Sequence, residues 1–175
     1  IVQDESGQIR LGAMCSLRAL ETSPILQDYA GGIISRSAGE IIGVQFRNLA
    51  TVGASVASKY GFSDVITPLL ACGARVRLHE QGELSLEAFL RAPRRRDVLT
   101  EIILPKTGGA GAFCNFRAST GDFSILNVAA LRRENTWRLA VGARPHCAAL
   151  AYKAMEQLEG GAETDLAART AAEEL

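Results

Sequence analysis

A chain of 175 residues with 47% hydrophobic side chains is long enough for one domain, or one and a half small ones, around a buried core. Nineteen basic and nineteen acidic side chains cancel, so the whole-chain field that gathers nucleic acid or an anionic membrane is missing. Apolar runs such as "DVITPLLACGARV" are broken by Pro68 or Gly73 well short of a span, and no basic-then-apolar leader opens the sequence; the expectation is a cytoplasmic protein with no nucleic-acid or membrane partner.

In chain order, "QIRLGAMCSLRALETS" predicts a strand over 9–14, then a helix starting at Ser16 with Glu21 in its early turns. "SPILQDYAGGIISRSAGEIIG" predicts helical pieces broken at Gly31 and Gly32, with Ile33, Ile34, Ile41 and Ile42 facing inward. "VQFRNLATVGASVAS" reads as short extended segments in loop backbone, punctuated by Gly and Ser. A short helix after Pro68, a strand over 74–78, a turn at Gln81 and Gly82, a two-residue strand piece, a helix holding Phe89 and a strand over 98–104 follow. "RRR" at 94–96 reads as a solvated turn, since no aromatic residue is interleaved with it.

"PKTGGAGAF" is a linker candidate that few contacts should cross. Beyond it "AFCNFRAS", "SILNVAALRRE" and "TWRLAVGAR" predict a three-stranded antiparallel meander. A helix starting at Pro145 and a second over "ETDLAARTAAEEL" complete the chain. Cys15, Cys72, Cys114 and Cys147 stand far apart without metal-ligand spacing and read as core-filling thiols. His79 and His146 have no visible partner.

The stretch "TVGASVASKYGFSD" offers chemistry. Glycine and alanine let backbone amides approach a ligand, and the hydroxyls of Thr51 and Ser55 are donors suited to a pyrophosphate. Asp64 is a candidate acceptor for a ribose hydroxyl. An ordinary glycine-containing turn, with Asp64 capping a helix over "VITPLL", fits the same residues. Neither a GxGxxG nor a Walker loop occurs, which disfavours a GTP- or ATP-using enzyme.

"GVQFRNLATVGASVASKYGFSD" resembles the "QIRN-x-x-T-x-GG-[NS]" segment in flavin-binding medium subunits of molybdenum hydroxylases, the xanthine dehydrogenase and carbon monoxide dehydrogenase family. "IRLGAMCSL", "GELSLEAFL", "RRDVLTEIILPK", "FRASTGDFSILNVAA" and "RLAVGARP" follow in the family's order, so the resemblance runs almost from end to end. It implies an α+β chain: residues 1–104 as the second lobe of a PCMH-type FAD-binding domain, a mixed sheet with helices, then a linker over 105–111. Residues 112–175 would be a carbon monoxide dehydrogenase flavoprotein C-terminal-like domain, a three-stranded antiparallel sheet with helices.

Carried over residue by residue, the resemblance makes Thr51, Gly53, Ala54 and Ser55 a pyrophosphate loop for FAD and puts Asp64 at the ribityl or ribose hydroxyls. It places Ile41 near the adenine, Leu99 against the flavin face and Arg117 near the phosphates. Ile41 and Leu99 fit a plain core equally well. Ala54 stands where the family has a second glycine, and the family's other glycine-rich loop and closing "R-x-S-x-x-YR" helix do not appear, so a piece of a longer protein is the expectation.

The implied activity is electron transfer. A molybdopterin-binding large subunit would oxidise substrate, a two-iron two-sulfur small subunit would relay electrons, and FAD here would pass them to NAD or another acceptor. No side chain of this chain then needs to act as acid, base or nucleophile. The rival is a flavin-free scaffold or assembly module, which Ala54 and the absent loop favour.

Overall fold

The computed structural model describes every residue except Arg95, Thr107, Arg144 and Pro145. Strands β1 (Val2–Gln3), β2 (Ile9–Gly12), β3 (Arg75–Leu78), β4 (Gly82–Ser85) and β5 (Leu99–Leu104) form a sheet in the order β1-β2-β5-β3-β4. Every pairing in it is antiparallel, where the resemblance implied a mixed sheet; the α+β class stands. Its two faces follow the two-residue period of a pleated strand. Ile9, Leu11, Val76, Ile102 and Leu104 are buried on one side. On the other, Glu101 pairs with Arg10 and Arg77, and Glu83 with Arg75 and Arg77, a ladder of alternating charge.

Among the described residues, seven short α-helices accompany this sheet. Helix α1 (Leu17–Thr22) starts where expected, with Ser16 Oγ accepting from Ala19 N at 3.1 Å. Helix α2 (Pro24–Asp28), a tight turn through Tyr29–Gly32 and α3 (Ile33–Gly39) reproduce the break at the paired glycines. The expected loop over 44–58 is instead two helices, α4 (Val44–Leu49) and α5 (Val52–Ala57). Thr51 Oγ1 caps α5 by accepting from Ala54 N at 3.2 Å, and Val52 and Val56, four residues apart, bury its inner face. Tertiary packing overrides the weak helix propensity of valine and serine here.

Helix α6 (Ile66–Ala71) begins two residues before Pro68, so the proline lies in the first turn, where its missing N–H costs nothing. All six of its residues are buried. Helix α7 (Leu86–Arg91) is capped by Ser85 and holds Phe89 as expected; β4, predicted at two residues, runs to four.

The second sheet contains β6 (Ala110–Phe116), β7 (Leu126–Arg133), β8 (Thr136–Gly142) and the two-residue β9 (Ala149–Leu150), in sequential antiparallel order. The expected meander is present, with β9 as a fourth strand. The helix expected from Pro145 begins only at Tyr152; Pro145 itself lies outside the described residues. Helices α8 (Tyr152–Glu159) and α9 (Thr164–Glu174) cover one face through Ala154, Ala167 and Ala171.

The other face of that sheet packs on α6. One apolar cluster therefore runs from Ile9 and Leu11, through Ile66, Leu69 and Leu70, to Ala129, Leu131, Ala140 and Leu150. Of the segment expected as a linker over 105–111, Ala110 and Gly111 belong to β6. Tyr29 Oη donates to the Pro105 carbonyl at 2.9 Å, fixing the crossover.

Candidate functional site: a cleft beside helix α5

The N-terminus of α5 is closed by its own protein. Val52 N donates to the Cys15 carbonyl and Gly53 N to the Ala13 carbonyl, each at 2.9 Å, while Ser55 N donates to the Thr51 carbonyl at 3.1 Å. With the Thr51 cap on Ala54 N, every amide from Val52 to Ser55 has an internal partner. Gly53 is buried, and a Cβ there would lie 2.6 Å from Ala13 Cβ and 2.7 Å from the Ala13 carbonyl oxygen. The glycine thus serves close packing of helix on strand end, and Ala54 occupies a helical position that needs no positive φ.

Beside α5, however, lies a cleft of about 610 Å³. Ile41, Ile42 and Phe46 form one wall, Ala54, Ser55 and Ser58 the floor along α5, and Tyr60, Phe62 and Phe123 the facing wall. Arg117 is the one cation among the described residues that line it; Asp64 and Asp122 are the carboxylates. Tyr60 and Phe62 stack with centroids 5.1 Å apart, and Phe62 meets Phe123 at 4.2 Å. Phe123 is 71% exposed, so this aromatic wall spends much of its area on solvent.

Of the eight residues named from sequence, Ile41, Ala54, Ser55, Asp64 and Arg117 meet around this cleft. Thr51 and Gly53 lie behind it, shaping the start of α5. Leu99 does not reach it and lines a separate small hollow with Lys59, Phe89 and Asp97. Ile42, expected to face inward, is 51% exposed at the cleft mouth. Phe46, Tyr60, Phe62 and Phe123 were not singled out by sequence reasoning, although "KYGF" sits inside the stretch that was.

Asp64 is 6% exposed, and both of its oxygens are engaged. Oδ1 accepts from Ser124 Oγ at 2.5 Å and Asn127 Nδ2 at 2.9 Å, and Oδ2 accepts from Arg117 Nη2 at 2.5 Å. Asn127 Oδ1 in turn accepts from Thr67 Oγ1 at 2.7 Å. The helix-capping alternative for Asp64 fails, because Ser63 Oγ receives Ile66 N. Arg117 also donates to the Asp122 carbonyl at 2.7 Å, which pins the 117–123 loop over the cleft. Behind Ile41, buried Arg47 joins Glu21 at 2.7 Å and donates to the Ile41 carbonyl. Burial would raise the Glu21 carboxyl, but hydrogen bonds and charge from Arg18 and Arg47 outweigh it and hold Glu21 below the usual glutamate range.

Elsewhere, only Cys72 of the four thiols is fully buried; Cys15 and Cys147 are half-buried and Cys114 is exposed, against the expectation of four core-fillers. Burial pushes the Cys72 thiol up to about 12, which keeps it protonated and inert. His79 and His146 are exposed, and among the described residues no cluster has metal-ligand character. No described helix is long and apolar enough to cross a membrane.

The family model for the FAD binding domain in molybdopterin dehydrogenase matches residues 1–107. The chain belongs to that family. Among solved structures, carbon monoxide dehydrogenase from Hydrogenophaga pseudoflava, lacking the Mo-pyranopterin moiety of its cofactor, superimposes with a TM-score of 0.85 at 24% identity, over 99% of this chain and 65% of that one. Quinoline 2-oxidoreductase from Pseudomonas putida 86 does so with a TM-score of 0.83 at 22% identity, over the same shares. At these identities the likeness concerns the fold, and this chain spans just under two thirds of either structure. No curated protein matches the sequence.

The family's cofactor can be tested against the cleft. A flavin dinucleotide needs an apolar slot for its rings, polar groups for its hydroxyls and donors for its diphosphate. Phe46, Tyr60, Phe62 and Phe123 supply the first. Ser55 Oγ and Ser58 Oγ donate to backbone carbonyls of Thr51 and Ser55, so their lone pairs are available to accept from hydroxyls. The amides of 52–55 do not supply the third, being committed within the chain. The residues present fit the ring and sugar portions of FAD.

Proposed function

We propose that the chain is the FAD-holding part of a molybdopterin-dependent hydroxylase or dehydrogenase, an oxidoreductase subunit. The observation that carries this reading is the coincidence of the family match over 1–107 with an aromatic-lined cleft against α5, a helix of that segment. FAD, when bound, supplies the redox chemistry, accepting electrons and releasing them. The protein's part is to bind and orient. Ile41 and the aromatic wall exclude water from planar rings, Ser55 and Ser58 accept from sugar hydroxyls, and Arg117 presents a guanidinium whose orientation Asp64 fixes. Thr51 and Gly53 act indirectly, by setting where α5 begins.

The partners in this reading are a molybdopterin-binding large subunit and a two-iron two-sulfur small subunit, with NAD or another acceptor taking the electrons in the cytoplasm. Residues 1–104 and 112–175 are its FAD-binding lobe and C-terminal domain. The committed amides at 52–55 favour a second reading, a flavin-free scaffold. Purified full-length protein separates the two. The flavoprotein reading expects a flavin absorption band, and expects Ala54→Phe, which fills the cleft from an exposed position, to remove most of the flavin without altering circular dichroism. A full-length protein that stays colourless with excess FAD establishes the scaffold.

A further inference from the structure

A second concave region lies at the other end of α6 and is built from different chemistry. Two adjoining hollows, of about 220 and 300 Å³, share Gly73 and Pro105 as a common sill. Arg133 and Arg138 line the first, Arg75 and Lys106 the second. No described residue lining either hollow is a carboxylate. In a chain whose charges balance overall, four cations line these hollows, and three of them, Lys106, Arg133 and Arg138, form no salt bridge among the described residues.

The gathering is built by backbone contacts. Arg138 Nε and Nη2 donate to the carbonyls of Ala71 and Leu70, at 2.9 and 3.0 Å, so the C-terminal end of α6 holds the guanidinium in place. Arg133 Nη2 donates to the Lys106 carbonyl at 3.2 Å. Neither arginine, nor Lys106, forms a salt bridge among the described residues; Arg75 alone shares a carboxylate, Glu83 at 2.9 Å. Thr136 and Gln8 add neutral polar groups to the rims. Guanidinium groups fixed by carbonyls keep donors for a second acceptor, and uncompensated like charges in a concavity favour an anion that touches several of them.

From this we infer that the paired hollows bind a diphosphate-bearing anion, one phosphoryl group between Arg133 and Arg138 and the other between Arg75 and Lys106, with the bridge over Gly73. The side-chain-free sill at Gly73 leaves room for the bridge. This inference is independent of the flavin reading, because the two sites share no lining residue.

The test is calorimetric titration of full-length protein with inorganic pyrophosphate, against sodium chloride of matched ionic strength. Saturable pyrophosphate binding is expected, weakened by about tenfold in Arg133→Ala and in Lys106→Ala, each of which removes one charge-assisted contact. Arg132→Ala, which removes the neighbouring cation over the Trp137 ring, and Ala54→Phe, which blocks the aromatic cleft, leave it unchanged. A parallel titration with ADP identifies the source: tighter binding than pyrophosphate assigns the diphosphate to a nucleotide, weaker binding to the free anion. Heat no greater than the chloride control, or equal affinity in wild type and Arg133→Ala, overturns the inference.

Discussion

The two ends of helix α6, separated by roughly 9 Å of helix, join the first sheet to the second through opposite kinds of polar contact. At the amino end, Asp64 and Thr67 meet Arg117, Ser124 and Asn127 in a buried network in which both Asp64 oxygens are used. At the carboxyl end, Arg138 and its basic neighbours find carbonyls but no carboxylate in the hollows they line. Burial makes the difference intelligible. An ion pair shut away from water is tolerable only when fully partnered, whereas cations at a half-open rim can wait for a solute. The first end holds structure in place, including the loop over the aromatic cleft, and the second leaves a demand unmet.

Breaking the partnered end should therefore cost most. Asp64→Asn leaves Arg117 without its charge partner in a site where the two side chains are 12% and 5% exposed. Loss of about 3 kcal/mol of stability is expected, measured as a lowered urea midpoint at constant slope. A loss below about 1 kcal/mol, the size of an exposed pair, would place the network on the same footing as the rim. Gly142→Ala attacks the same network from β8: a Cβ there would stand 2.2 Å from Asn127 Oδ1 and 2.3 Å from Thr67 Oγ1. A penalty of about 2 kcal/mol is expected from the forced shift, and Thr67→Ala combined with it should recover part of that cost, since the two changes share one contact.

How much of this was legible in the sequence depended on how local each feature is. The strand "RVRL" with its alternating Val76 and Leu78, the helix start at Ser16, and the break at Gly31 and Gly32 are set by neighbouring residues and appear where expected. The stretch 44–58 does not, because Gly53 reads locally as turn backbone. Its glycine answers instead to Ala13, forty residues earlier in sequence, and only the spacing of Val52 and Val56 hinted at a helix. The Asp64 network joins residues 53 to 63 positions apart and leaves no local trace. Five of the eight named site residues do surround one cleft, while its aromatic lining, drawn from α4, the 60–62 turn and the 117–125 loop, emerges only on folding.

A smaller effect distinguishes partnered carboxylates from the basic rim by pH. Glu21, which ties Arg47 behind the Ile41 wall, is held below the ordinary glutamate value of 4.5. A depressed carboxyl contributes stability above its unfolded-state value and loses it as pH falls through the folded-state value. Urea midpoints should thus decline on acidification below about pH 4.5, and the decline should be shallower in Glu21→Gln. Asp4, Glu83 and Asp97 are lowered as well and act in the same window, so the variant-minus-wild-type difference, rather than the raw curve, carries the information.

The smallest effect is the one the comparison makes most specific. Arg133→Ala removes a long surface side chain that holds one 3.2 Å contact to the Lys106 carbonyl. If the basic rim were structural in the manner of the Asp64 network, this change would cost several times the ~0.5 kcal/mol typical of surface substitutions. If the rim is a charge surplus, removing one cation relieves repulsion from Lys106 and Arg138, and stability in low salt should stay within about 0.5 kcal/mol of wild type or rise slightly. Added salt then erases the difference, because ~0.15 M ionic strength screens exposed charges beyond about 8 Å. Thermal melts of the two proteins in low and physiological salt, compared pairwise, decide between a brace and a vacancy for an anion.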